Sequence, residues 1–127
     1  MSGPNSFSIL SVEDNPETRV LLEHLLQDSY AVTVVADADA ALRVFEAQDF
    51  DLLLIDINLG AGMSGTELLQ LIREREMGKG PPAVAVTAYA MPGDRKNLLK
   101  KGFDGYVAKP FTRNNLREAV RQTLEPV

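Results

Sequence analysis

The sequence predicts a doubly wound α/β domain built from five strand-helix units. Three observations carry the expectation. Leu52 to Asp56 (LLLID) is apolar on both faces, with no alternation, which suits a central parallel strand covered by helices on each side. Four other strand-like runs recur along the chain, and each is followed by residues at helical spacing. The polar residues most in need of explanation then fall at the ends of strands, which in a parallel sheet share one edge. A chain of 127 residues is the size of one such domain.

Taken in order, Phe7 to Val12 (FSILSV) reads as the first strand and runs directly into Glu13, Asp14, Asn15 and Pro16. Pro16 suits the first turn of a helix. Val20, Leu21, Leu25 and Leu26 then recur at helical spacing as far as Gln27. Ala31 to Ala36 is β-branched and reads as the second strand. Asp37 or Asp39 caps the next helix, with Ala41, Leu42, Val44 and Phe45 inward.

Leu52 to Asp56 is the third strand. After the loop NLGAGMSG, Ser64 and Glu67 have capping-box spacing, and Leu68, Leu69, Leu71 and Ile72 form the buried stripe. Gly78 to Pro82 breaks the pattern. Ala83 to Val86 is a fourth strand ending at Thr87, and Met91 to Lys101 reads as a helix stopped by Gly102. Tyr106 to Ala108 is a short fifth strand ending at Lys109-Pro110. Thr112 caps a last helix that turns Leu116, Ala119, Val120 and Leu124 inward. Residues 1–6 are expected as a flexible lead-in and residues 7–125 as the domain.

Composition narrows the function. Thirteen basic against eighteen acidic residues give a net charge of −5, which disfavours direct nucleic-acid binding. The absence of cysteine excludes thiol chemistry and thiolate metal sites, and the single histidine, His24, excludes a multi-histidine centre. No apolar run approaches the length of a membrane span, and a cytoplasmic location is expected.

If the first and third strands are neighbours, Glu13, Asp14 and Asp56 converge on a small volume. At about 4 Å and an effective dielectric near 20, each carboxylate pair repels by roughly 4 kcal/mol. Such a cluster needs a cation. Oxygen ligands alone favour a hard divalent ion, and Mg²⁺ is content with a few carboxylates, a carbonyl and water. Lys109 adds a fixed positive charge. Metal, ammonium and carboxylate together suit a phosphoryl group, attacked in line by a carboxylate.

The set Glu13-Asp14, Asp56, Thr87-Ala88 and Lys109-Pro110-Phe111 resembles the signature of response regulator receiver domains, the CheY-like family, over nearly the whole chain from Phe7 to about Leu124. The resemblance implies a flavodoxin-like (βα)5 sandwich with strand order 2-1-3-4-5. It implies a phosphoacceptor at Asp56, charged from a phosphohistidine on a histidine kinase or histidine phosphotransfer protein. Mg²⁺ would be bound by Asp14 directly, by Glu13 mainly through water, by Asp56, and by the backbone carbonyl of Asn58.

Lys109 would pair with Asp56 and then with the phosphoryl oxygens, and Thr87 would hydrogen-bond the phosphoryl group once present. Tyr106 would be the aromatic switch, altering the face made by the fourth helix, fifth strand and fifth helix toward a downstream protein target. The bond before Pro110 would be cis. Such a domain is a signalling phosphoacceptor rather than an enzyme; TAYAMPGDR and KKGFDGYVAKPF are most similar to receivers of hybrid histidine kinases, though stand-alone regulators share them.

The loop after Asp56 departs from the family pattern. Where the family usually has proline four residues on and glycine eight on, this chain has Gly60 and, nine on, Gly65. The loop Gly60 to Gly62 is therefore longer and expected to be less stiff. On the first helix, Leu22 widens the apolar band beyond one buried stripe, and is expected outside, docking on a kinase or phosphotransfer helix. Arg95, Lys96, Lys100 and Lys101 form a basic face on the fourth helix.

Rival readings are a flavodoxin-like cofactor carrier, a haloacid-dehalogenase-type phosphatase and a degenerate receiver that acts by binding alone. Glu13 and Asp14 would repel a cofactor phosphate in the first. Glu13-Asp14-Asn15 lacks the DxD pattern of the second, and the complete residue set argues against the third.

Overall fold

The computed structural model describes residues 7–60, 62–77, 80–88 and 94–124. The expected lead-in, Ala61, Gly78, Lys79, the start of the fourth helix at 91–93, and residue 125 lie outside the described residues. Within them the elements alternate as β1 (Phe7–Val12), α1 (Pro16–Leu26), β2 (Tyr30–Val35), α2 (Ala38–Ala47), β3 (Leu52–Asp56), α3 (Gly65–Arg75), β4 (Ala83–Thr87), α4 (Asp94–Lys100), β5 (Gly105–Ala108) and α5 (Arg113–Leu124).

All strands are parallel, in the order β2-β1-β3-β4-β5. Strand order reverses between β1 and β3. The crevice outside their carboxyl ends is the place where such sheets bind ligands.

Two apolar layers flank the sheet. Leu10, Val12, Leu53, Ile55, Ala83 and Ala85 point one way, onto Ala41 of α2, Leu68, Leu69 and Ile72 of α3, and Leu98 of α4. Ile9, Leu52, Leu54, Val84 and Val86 point the other way, onto Leu22, Leu25 and Leu26 of α1 and Leu116 and Val120 of α5. The lack of alternation in β3 and β4 is thus explained: every residue of both strands is buried.

Helix ends follow the sequence signals. Asn15 Oδ1 accepts from Thr18 N at 3.0 Å with Pro16 in the first turn. Of the two aspartates ahead of α2, it is Asp37 that caps, its Oδ1 accepting from Ala40 N at 2.8 Å. Ser64 and Glu67 close a reciprocal capping box, and Thr112 Oγ1 accepts from Asn115 N at 3.0 Å. Gly102, at φ +104°, ends α4 as expected, with Phe103 N bonded to Leu98 O and Gly102 N to Leu99 O. The Lys109-Pro110 bond is cis.

One expectation on α1 is corrected. Leu22 is 1% exposed and belongs to the core layer beneath α1 and α5, while Val20 and Leu21 are the exposed residues at 71% and 43%. Leu22, Leu25 and Leu26 share the i, i+3, i+4 face, and that face is the one turned toward β1 and β3. Leu22 is therefore a core residue and offers no docking surface. Leu71 of α3 is likewise only half-buried, at the margin of its stripe.

Candidate functional site

The register of the sheet builds the site. Val12 pairs with Ile55, so the residues that follow, Glu13 and Asp56, leave the sheet side by side. Asp56 pairs with Val86, and Thr87 with Ala108, which sets Thr87 and Lys109 on the next two strands at the same edge. Backbone bonds extend each strand by one step: Glu13 N to Val35 O at 3.0 Å, Ile57 N to Val86 O at 2.9 Å and Lys109 N to Thr87 O at 2.8 Å.

Glu13, Asp14 and Asp56 each bring a carboxylate oxygen to a cluster in which these atoms lie within 4.8 Å of one another. Glu13 is 1% exposed and Asp56 4%, whereas Asp14 faces solvent. Lys109 Nζ stands between the two buried acids, 3.1 Å from Asp56 Oδ2 and 2.9 Å from Glu13 Oε1. The Glu13 contact is an ion pair short of good hydrogen-bond alignment. Asp56 Oδ1 accepts from Asn58 N at 3.0 Å, and Glu13 Oε2 from Asn15 N at 3.1 Å.

Burial, reinforced by the Asp56 charge, holds the Glu13 carboxyl above its usual range despite the opposing pull of Lys109 and the Asn15 amide. Burial works to depress the Lys109 ammonium too, but the two carboxylates outweigh it and raise it. The causes differ, burial for the acid and the Glu13 and Asp56 carboxylates for the ammonium, yet both directions favour added positive charge at this edge. An oxygen-only donor set with that deficit fits a hard divalent cation.

Close packing keeps the edge compact. Gly65 N donates to Ile57 O at 2.9 Å, and a β-carbon on Gly65 would lie 2.2 Å from the Asp56 carbonyl oxygen. Gly60 has φ +78°, and a β-carbon there would stand 3.1 Å from Asp14 Oδ2. Of the loop glycines, Gly60 thus lies against the acidic cluster, while a β-carbon on Gly62 would meet nothing within 4 Å.

Thr87 is buried at the end of β4, and Tyr106 lies on β5 opposite Ala85 with 37% exposure. An open groove follows the free edge of β5 and one side of α5, lined by Tyr106, Ala108, Glu118, Gln122 and Thr123 among others. Lys96, Lys100 and Lys101 are exposed around α4, and His24 is an exposed helix residue.

Sequence reasoning passed over Arg19. Its Nη1 donates to Glu13 O at 3.0 Å and to Asp14 O at 2.9 Å. The available signal was a basic residue in the first turn of a helix that follows an acidic pair.

Comparison with known proteins agrees with this architecture. The response regulator receiver domain profile matches residues 9–121, and the chain belongs to that family. It is 36% identical to the chemotaxis protein CheY of Pseudomonas aeruginosa, covering 94% of this chain and 97% of that one. It is also 36% identical to part of the sensor histidine kinase GacS of Pseudomonas protegens, covering 88% of this chain and 12% of the kinase.

The receiver domain of a sensor histidine kinase from Pseudomonas aeruginosa PAO1 superposes with a TM-score of 0.81 at 38% identity, covering 94% of this chain and 98% of that domain. That structure holds a magnesium ion coordinated in its active-site cleft. The chain is a receiver domain homologous to CheY and to the receivers of hybrid histidine kinases. No described helix is long and apolar enough to cross a membrane.

Proposed function

We propose that Asp56 is the phosphoacceptor of this receiver, accepting a phosphoryl group from a phosphohistidine on a histidine kinase or histidine phosphotransfer protein. The observation that carries the reading is the buried Asp56 carboxylate held at 3.1 Å by Lys109 within a cluster of two further acids. Glu13, Asp14, Asp56 and the Asn58 carbonyl would hold Mg²⁺. When bound, the ion supplies a Lewis acid that neutralises phosphoryl oxygens.

The chain's own residues do the rest. An Asp56 carboxylate oxygen attacks phosphorus, the new O–P bond forms as the N–P bond to the donor histidine breaks, and the electron pair leaves on the imidazole nitrogen. Lys109 exchanges part of its contact with Asp56 for the phosphoryl oxygens, and Glu13 holds the ammonium in place throughout. Thr87 donates its hydroxyl to the phosphoryl group. Its movement makes room for Tyr106 to turn inward, which reshapes the face of α4, β5 and α5 that a downstream protein reads.

In this reading the domain signals by binding, in the cytoplasm, as a stand-alone regulator or as part of a longer kinase. It catalyses its own phosphorylation and dephosphorylation and turns over no other substrate.

Intact mass after incubation with acetyl phosphate tests the reading. One added phosphoryl group is expected with Mg²⁺, none in EDTA, and none on Asp56→Asn. Phosphorylation of Asp56→Asn to the same extent would place the acceptor elsewhere. A wild-type chain that stays unmodified while a control receiver is labelled would leave a domain that acts by binding alone.

A further inference from the structure

Arg19 stands in the first turn of α1, five and six residues after the acidic pair, and its guanidinium donates from one nitrogen to both Glu13 O and Asp14 O. The choice of acceptor is informative. A guanidinium that close to acidic side chains has its strongest partner in a carboxylate, through a charge-assisted fork. Here the structure pairs it with main-chain carbonyls instead. The Glu13 carboxylate is left to Lys109 and the Asn15 amide, and Asp14 keeps its carboxylate in the acidic cluster.

Two consecutive carbonyls drawn to one donor fix the intervening peptide, and with it the directions in which the Glu13 and Asp14 side chains leave the loop. The base of the clamp is itself held: Arg19 N bonds Asn15 O at 3.0 Å, and Asn15 caps the same helix. α1 therefore reaches back and holds the loop from the carbonyl side while the carboxylates stay available on the other.

We propose that Arg19 is a positioning residue for the cation site, ordering the β1–α1 loop so that Glu13 and Asp14 present their carboxylates together. The inference rests on the reading of those acids as Mg²⁺ ligands. Its consequence has a sign that plain electrostatics does not share. Deleting a positive charge beside the cluster should, by charge alone, make Mg²⁺ bind more tightly. Loss of a group that orients ligands makes it bind more weakly, commonly by 10-fold or more.

The experiment is calorimetric titration of Mg²⁺ into wild type, Arg19→Ala and Arg19→Lys, with thermal unfolding in EDTA alongside. About a 10-fold rise in the Mg²⁺ dissociation constant is expected for Arg19→Ala. Arg19→Lys, which keeps the charge and a multiple donor on a shorter side chain, should fall between or match wild type. Acetyl phosphate labelling of Arg19→Ala should return to the wild-type rate at saturating Mg²⁺, because the residue acts on ligand order and not on phosphorus.

Binding by Arg19→Ala as tight as wild type, or tighter, overturns the proposal. Should that variant not fold, Arg19→Met, which keeps an unbranched stem but has no donor, decides, and unchanged affinity in it overturns the proposal equally. A wild-type chain that binds no Mg²⁺ overturns the ligand reading first and the role of Arg19 with it.

Discussion

Gly65 lies against the main chain of Asp56 so closely that a β-carbon would meet the Asp56 carbonyl oxygen at 2.2 Å. The contact joins the first residue of α3 to the last residue of β3, and the obstacle is backbone that cannot rotate away. Gly65→Ala is expected to displace one of the two elements at a cost of about 1–3 kcal/mol, as for overpacking elsewhere. Denaturant unfolding measures the loss. Phosphorylation of the variant by acetyl phosphate should also slow, since Asp56 moves with its backbone; an unaltered rate and midpoint would show that α3 can retreat freely.

Lys109 is the ammonium set between Glu13 and Asp56. Lys109→Ala leaves both buried carboxylates without it, and a loss of roughly 2–3 kcal/mol is expected in EDTA, the scale of hydrogen bonds to charged groups. Because the deficit is one of positive charge, excess Mg²⁺ should recover most of the stability but not the phosphorylation rate. Thermal unfolding with and without Mg²⁺ separates the two effects. Equal losses in both conditions would mean that the lysine supports the fold by packing alone.

The raised Glu13 carboxyl fixes the sign of a pH effect. The folded state holds this proton more firmly than the unfolded chain, whose value is near the usual 4.5. Metal-free stability from this group therefore declines as pH rises from there through the raised folded value. Glu13→Gln lacks the titration, so its stability relative to wild type should improve as pH rises from about 4.5 through the raised folded value in EDTA. A difference that is flat over that range, or runs the other way, would contradict the burial cause. Lys109 acts at the other end: its raised value contributes stability fully present below the usual 10.5 and lost as pH rises through the folded value.

Much of this was legible in the chain, for identifiable reasons. β3 and β4 announce themselves because full burial removes alternation, and Ser64 with Glu67 announces a helix start because a capping box needs both residues at that spacing. The acidic pair, Asp56, Thr87 and Lys109 were readable as strand-end residues before any distance was known.

The orientation of α1 was not. Val20, Leu21, Leu22, Leu25 and Leu26 supply apolar residues to more than one face, and only packing on β1, β3 and α5 decides which face is inside. Arg19 was hidden for another reason: sequence spacing brings a guanidinium near two acids but does not say that it chooses their carbonyls.

The corrected face of α1 makes its own prediction. Leu22→Ala opens a cavity in the layer shared with α5 and should cost about 2–5 kcal/mol. Val20→Asp, at a position 71% exposed, should change stability by no more than about 0.5 kcal/mol. Urea unfolding midpoints of the two variants test the assignment, and similar losses would return Leu22 to the surface.

Gly60 stands where the family usually has proline, yet its φ of +78° is one that a proline ring forbids and that other L-residues reach at a cost of about 1–2 kcal/mol. The β-carbon of an alanine there would also stand 3.1 Å from Asp14 Oδ2, tighter than ordinary contact. Both constraints meet at Gly60, where the backbone takes a left-handed step beside the acidic cluster. Gly60→Ala should therefore lose stability and weaken Mg²⁺ binding together, because strain and displacement of Asp14 have the same origin. Gly60→Pro should fare worse, although it restores the usual residue, since the ring forces this step of the loop to be rebuilt. Mg²⁺ titration and thermal unfolding of both variants supply the check. A proline variant more stable than wild type, with Mg²⁺ affinity intact, would show that the loop takes up the family's turn without strain.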